Sequence, residues 1–325
     1  MPRFPRPAVV APAVVAIGLL AAAPAASDGP LVSNPHASAH FDLTRGQTPD
    51  SVVAERGGSA DVSFAFARQV VKVTRERRVH VLATLPPEDH PRTALVNGAV
   101  TLGLARAQDG TLYVNYATGT DRTGVWRIPA GGGSPEQIAQ LPPDGLPNGL
   151  ALDERHGVLY VADSALGTVW RVPQSGGAPT AWARGAALTG LPGSADGFGA
   201  NGIKVHKDAV WVTNTDRGTL LRIPVGADGS AGAVATRATG LDGVDDFVFP
   251  GHSDVVLAAL NTSNEVALVR PDGTRDIVLT VQDGLSNPTS LAVRGRDLFV
   301  ADAAYLTQRD PNLLKGRLDA YFARQ

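Results

Sequence analysis

The sequence predicts an all-β fold, a six-bladed β-propeller. Three observations predict it. A phrase made of a turn and a short apolar strand recurs six times along the 325 residues. The segments between copies hold Gly, Pro and Ser rather than helical periodicity, which argues against a parallel sheet with crossover helices. Each unit has room for three or four short strands, the content of a propeller blade.

In chain order, residues 1–26 read as a secretory leader. Arg3 and Arg6 give the positive start, residues 9–23 are apolar apart from Pro12 and Gly18, and Ala23-Pro24-Ala25 is a small-residue cleavage site. The apolar run is shorter than the ~20 residues of a spanning helix, and no later segment is long enough either. The mature chain is therefore expected to be secreted, without a transmembrane segment. Residues 27–46 are expected to help close the ring, and residues 47–325 to form the propeller.

The six copies follow. Gly110-Thr111-Leu112-Tyr113-Val114 matches Gly157-Val158-Leu159-Tyr160-Val161, Asp208-Ala209-Val210-Trp211-Val212 and Arg296-Asp297-Leu298-Phe299-Val300. Weaker copies are Ala60-Asp61-Val62-Ser63 and Asp254-Val255-Val256-Leu257. With Val62, Tyr113, Tyr160, Trp211, Val256 and Phe299 as equivalents, the steps are 51, 47, 51, 45 and 43 residues. Follower strands include Gly124-Val125-Trp126-Arg127-Ile128 and Gly167-Thr168-Val169-Trp170-Arg171-Val172, and preceding strands include Leu150-Ala151-Leu152 and Leu291-Ala292-Val293. The segments 38–43 and 313–322 are expected to complete one blade from both ends. Trp126, Trp170, Trp182 and Trp211 read as packing between blades.

Composition narrows the function. Hydrophobic residues are 43% and charged residues 18%, so a large core is available. The net charge of −2, from 29 basic and 31 acidic residues, argues against nucleic acid as a partner. The absence of cysteine excludes disulfides, thiolate zinc sites and cysteine nucleophiles.

The first residues of the innermost strands face the axis of a propeller. That position reads Asp50, Thr101 (or an immediate neighbour), Asn148, Asn201, Asp245 and Thr289. Asn-Gly on its own is a turn dipeptide, and Asp before a strand is usually solvated. Here these residues share one phase of the repeat. Asp50 and Asp245, with Asp246 beside it, crowd like charges with no Lys or Arg at the equivalent positions, a costly arrangement without a counter-charge. Carboxylate and amide oxygens form a hard-cation set that suits Ca²⁺ better than Zn²⁺ or copper.

Pro147-Asn148-Gly149-Leu150-Ala151-Leu152-Asp153, with Leu159-Tyr160-Val161-Ala162-Asp163-Ser164 and the Gly167–Val172 strand after it, resembles the regucalcin/gluconolactonase family. Ala200-Asn201-Gly202-Ile203 and Asn287-Pro288-Thr289-Ser290 fit the same pattern. The likeness spans residues 47–322, and the superfamily includes paraoxonases and strictosidine-synthase-like proteins. The resemblance implies a divalent cation at the channel floor and hydrolysis of lactones or esters. It assigns Asn148, Asn201 and Asp245 as metal ligands, with Asp246 as an additional one and Asp50 where the family usually has Glu. It also implies that Asp245 orients or deprotonates the attacking water. The paraoxonase histidine pair has no clear match, and only His90 is placed to hang over the channel. Loops 86–96 and 184–199 are expected to shape the mouth. Two functions stay open: an exported, monomeric, metal-dependent hydrolase of a small lactone or ester, and a non-catalytic ligand- or partner-binding propeller with a structural calcium ion.

Overall fold

The computed structural model describes residues 30–193 and 197–320. The leader expected at 1–26 lies outside the described residues. Among the described residues twenty-four strands form six antiparallel four-stranded sheets, which are the blades of a propeller. The inner strands, blades one to six, are Pro49–Ala54, Val100–Arg106, Pro147–Asp153, Ala200–His206, Val244–Val248 and Pro288–Arg294. The recurring phrase supplies the second strand of every blade: Ala60–Phe64, Leu112–Ala117, Val158–Asp163, Ala209–Asn214, Val256–Leu260 and Asp297–Asp302. Among the described residues no helix is long and apolar enough to cross a membrane.

Second strands are buried on both faces because each blade is sandwiched between two others. This explains their unbroken apolar character, as in Val158–Asp163 and Ala209–Asn214, where every residue is buried. The apolar clusters lie between neighbours: Tyr160, Val210 and Val212 join blades three and four, and Leu257, Leu298 and Val300 join five and six. Trp126, Trp170 and Trp211 are buried in these layers.

The last blade is completed by the start of the chain. Val32–His40 pairs antiparallel with Asn312–Leu318, which pairs with the second strand Asp297–Asp302. Blades six and one then share a core of Val62, Phe64, Phe299 and Leu313.

Each inner strand carries a β-bulge against its second strand, at the position where the sequence repeat placed the axial residues. A bulge bends the strand and re-aims a side chain. Buried polar groups then tie each bulge to the blade before it. Ser63 Oγ donates to the Leu102 carbonyl (2.7 Å), Asn115 Nδ2 to Asn148 (2.8 Å), and Ser164 Oγ to Ala200 (2.7 Å). Thr213 Oγ1 donates to Asp245 (2.5 Å), Asn261 Nδ2 to Pro288 (3.2 Å), and Thr289 Oγ1 to Pro49 (3.1 Å). Each of the six junctions therefore has a side-chain bond to a backbone carbonyl at the start of the next inner strand.

Candidate functional site

The bulges deliver four polar side chains to one cavity. Asp50, Asn148, Asn201 and Asp245 line a 500 Å³ space at the end of the channel where the inner strands begin. Ala65, Phe66, Val100, Leu102, Leu146 and Phe198 form an apolar wall on one side, and Thr215, Asp216, Asn261 and Thr262 lie on the other. Val96, from loop 86–96, and Phe198, from loop 184–199, both reach this lining.

The amides are held from behind. Asn148 Nδ2 donates to Ser164 Oγ at 3.2 Å, and Asn201 Nδ2 to Thr215 Oγ1 at 2.9 Å. Both hydroxyls in turn donate to backbone carbonyls, Ser164 to Ala200 and Thr215 to Val244, each at 2.7 Å. With their N–H groups engaged, the amides keep their oxygens as the free acceptors.

The carboxyls are destabilised as anions. Burial, together with the charge of Asp246, pushes Asp50 up to about 7, although the Tyr305 hydroxyl, donating to Asp50 Oδ2 at 3.2 Å, works against the shift. Asp245 is raised well above the ordinary carboxylate range by burial first and then by the charges of Asp50 and Asp246. Asn201 and Lys204 oppose that rise. Tyr305 is pushed well above its usual value by burial and the two carboxylates, so it remains a hydrogen-bond donor.

Asp246 has another place. It lies outside the cavity lining, and Lys204 Nζ reaches both of its oxygens at 2.6 Å. Ser290 Oγ also donates to Asp246 Oδ2, at 2.7 Å. The reason is the bulge between Val244 and Phe247, which aims Asp245 into the cavity and leaves Asp246 against Gly202 and Lys204 of the neighbouring blade. A ligand role for Asp246 would require breaking this ion pair. Lys204 is not at an axial position of the repeat, yet it brings a cation beside the acidic group.

Two other axial positions bring no oxygen to the cavity. In blade two, of Thr101 and its immediate neighbours, Leu102 and Val100 line the cavity, and the Thr101 hydroxyl is buried without a partner. Thr289 turns its hydroxyl to the Pro49 carbonyl. Among the described residues no His, Lys or Arg lines the cavity, and His90 is exposed outside it. Nor do three or more His, Cys, Asp or Glu side chains gather to hold an ion.

The donors that do converge fit a hard cation. Two carboxylates and two amide oxygens, with no cationic side chain in the lining, are oxygen ligands of the kind Ca²⁺ takes. Sequence reasoning missed Tyr305, which comes from the loop after the second strand of blade six. It also missed the supports Ser164 and Thr215. The repeat held a signal for those two, because each directly follows its second strand, after Asp163 and Asn214.

No family model and no curated protein matches the chain. Solved structures do. Regucalcin from Agrobacterium tumefaciens, described as a calcium-binding protein, is 15% identical, with 86% of this chain and 94% of that one covered and a TM-score of 0.63. A candidate gluconolactonase is 17% identical over 89% and 92% of the two chains, with a TM-score of 0.61. Virginiamycin B lyase from Staphylococcus aureus is 14% identical over 88% and 99%, with a TM-score of 0.55. At these identities the likeness is one of fold: the chain is a six-bladed β-propeller of the shape shared by regucalcin and gluconolactonase-like proteins.

Proposed function

We propose that the protein is an exported, metal-dependent hydrolase of uncharged lactones or esters. The observation that carries this reading is the meeting of Asp50, Asp245, Asn148 and Asn201 in a cavity with no cationic side chain. These four residues would hold the cation, and their hard oxygens suit Ca²⁺. When bound, such an ion supplies Lewis-acid polarisation of an ester carbonyl.

The chain's own residues supply the rest. The wall of Phe66, Leu102, Leu146 and Phe198 takes the apolar body of the substrate and excludes water around it. Among the described residues no lysine or arginine lines the cavity to pair with a carboxylate on the substrate, which favours uncharged molecules. Asp245, lying against Asn201, orients the attacking water and takes its proton at a carboxylate oxygen. Tyr305 holds Asp50 in place through its hydroxyl.

The test pairs metal analysis with a panel of lactones and aryl esters. Bound calcium, hydrolysis by the wild type and silence in Asp245→Asn support the reading. A protein without metal, whose melting is unchanged by chelator or millimolar Ca²⁺, overturns it. A second reading is a binding propeller with a structural ion. It is favoured by the lack of any histidine in the lining to serve as a base separate from the ligands. Metal bound, with every ester inert, selects that reading.

A further inference from the structure

A second concavity lies at the opposite end of the blades. The 930 Å³ cleft opens where the last blade meets the first. One wall is the face of blade six, where Arg294 stands across from Asp297, Asp297 across from Arg317, and Phe299 across from Lys315. The other wall is made by two turns of blade one, residues 55–59 and 74–78.

The charge of this cleft is one-sided. Arg56, Arg75, Arg77, Arg294, Arg317 and Lys315 line it, against Glu55 and Asp297. Both acids are already engaged. Glu55 is held by Lys72 at 2.7 Å and Arg106 at 3.0 Å, and Asp297 by Lys315 at 3.1 Å. Among the described residues none of the five arginines forms an ion pair. Elsewhere on the blades, Arg127, Arg222 and Arg270 each reach a carboxylate. The chain as a whole carries a net charge of −2, so the cleft segregates positive charge instead of sampling the average surface. Gly58 keeps its floor open: at φ +85°, a Cβ there would come within 3.2 Å of Lys315 Nζ.

We propose that this cleft binds a ligand carrying two or more phosphate or sulfate groups. Guanidinium groups match such oxyanions through paired N–H donors. The arginines stand on both walls, so one multivalent ligand engages the two blades together. Such a ligand clamps the seam between the first and last blades and stabilises the closed ring.

The test uses the full chain with calcium present throughout, so that events at the channel are held constant. Sucrose octasulfate is titrated calorimetrically, with inorganic phosphate as the single-group comparison. Saturable binding that weakens as salt is raised is expected, along with a higher melting temperature and far weaker binding of inorganic phosphate. Arg294→Gln/Arg317→Gln, and separately Arg75→Gln/Arg77→Gln on the facing wall, should each bind about tenfold more weakly. Both variants should melt like the wild type without ligand. No saturable binding by the wild type overturns the proposal, as does equal binding by two folded variants. Vesicles then identify the source. Sedimentation with phosphatidylglycerol but not phosphatidylcholine vesicles points to lipid headgroups, and octasulfate binding without sedimentation points to a soluble or polymeric ester.

Discussion

Asp50 and Asp245 take their character from their surroundings. Each is an ordinary carboxylic acid until a bulge turns it into an enclosed space beside the other. Asp245→Asn should therefore remove the calcium-dependent rise in melting temperature and all ester hydrolysis, as read by calorimetry and a lactone assay. Tyr305→Phe keeps the ring edge-on to Phe66 and removes the hydroxyl that donates to Asp50 and also bonds the Thr48 side chain. Losing one such bond costs ~1 kcal/mol, so calcium affinity should fall about fivefold by titration. Asp61, at the other end of blade one, gives a separate pH signature. It is fully buried, neither of its oxygens has a hydrogen-bond partner, and burial followed by the charge of Glu55 raises it to about 7 despite Arg106 and Lys72. A raised carboxyl binds its proton more tightly in the folded state, so its contribution is favourable at acid pH. That contribution is lost as pH climbs from about 4 to 7. Asp61→Asn should gain stability relative to the wild type across that interval in urea titrations, and a constant difference would count against the assignment. At this scale the sequence disclosed the residues shared by the repeat but not their partners. Nothing local announces that Lys204 reaches Asp246 or that Tyr305 reaches Asp50, because these contacts cross between blades or arise from a loop.

At the level of the strand, the bulge explains why Asn-Gly appears here at all. As a dipeptide it reads as a turn. In the fold, Asn148-Gly149 and Asn201-Gly202 lie inside inner strands, and neither glycine has a positive φ. Glycine is needed for close approach instead. A Cβ on Gly149 would stand 2.3 Å from the Asn201 carbonyl oxygen, and one on Gly202 would stand 2.6 Å from the Asp246 Cα. Gly149→Ala should therefore destabilise the protein by ~1–3 kcal/mol in urea and displace Asn148 from the cavity. The strands themselves were legible because burial on two faces leaves a run of apolar residues at a regular interval. The bulges were not, since one inserted residue leaves the apolar pattern almost unchanged. That is why the axial position in blade two was legible only as Thr101 or an immediate neighbour, and the structure gives it to Leu102. The open register hid the asymmetry of the cavity, whose apolar wall includes Leu102 where other blades carry a polar residue.

For the whole molecule, the six-blade count was legible from periodicity, because the phrase recurs at steps of 43–51 residues, whereas the strands that join across the closure, Val32–His40 and Asn312–Leu318, are offset from the 38–43 and 313–322 segments expected there. The basic cleft was not legible, since its arginines are scattered from Arg56 to Arg317 and become neighbours only through closure. Removing residues 30–40 strips the outer strand from blade six and bares the edge of Asn312–Leu318. Such a truncation should melt several degrees lower and self-associate through the uncovered edge, as read by light scattering.

The pairing of Val32–His40 with Asn312–Leu318 also sets an order of events during synthesis. Val32–His40 is made before the strand it pairs with, and finds that neighbour only after the five blades between them have been made. Until then it waits as an unmatched ribbon, and the five intermediate sheets can assemble only as an open arc. A chain interrupted before Asn312–Leu318 is made therefore leaves an arc rather than a shortened wheel, because the strand that joins Val32–His40 to blade six is missing.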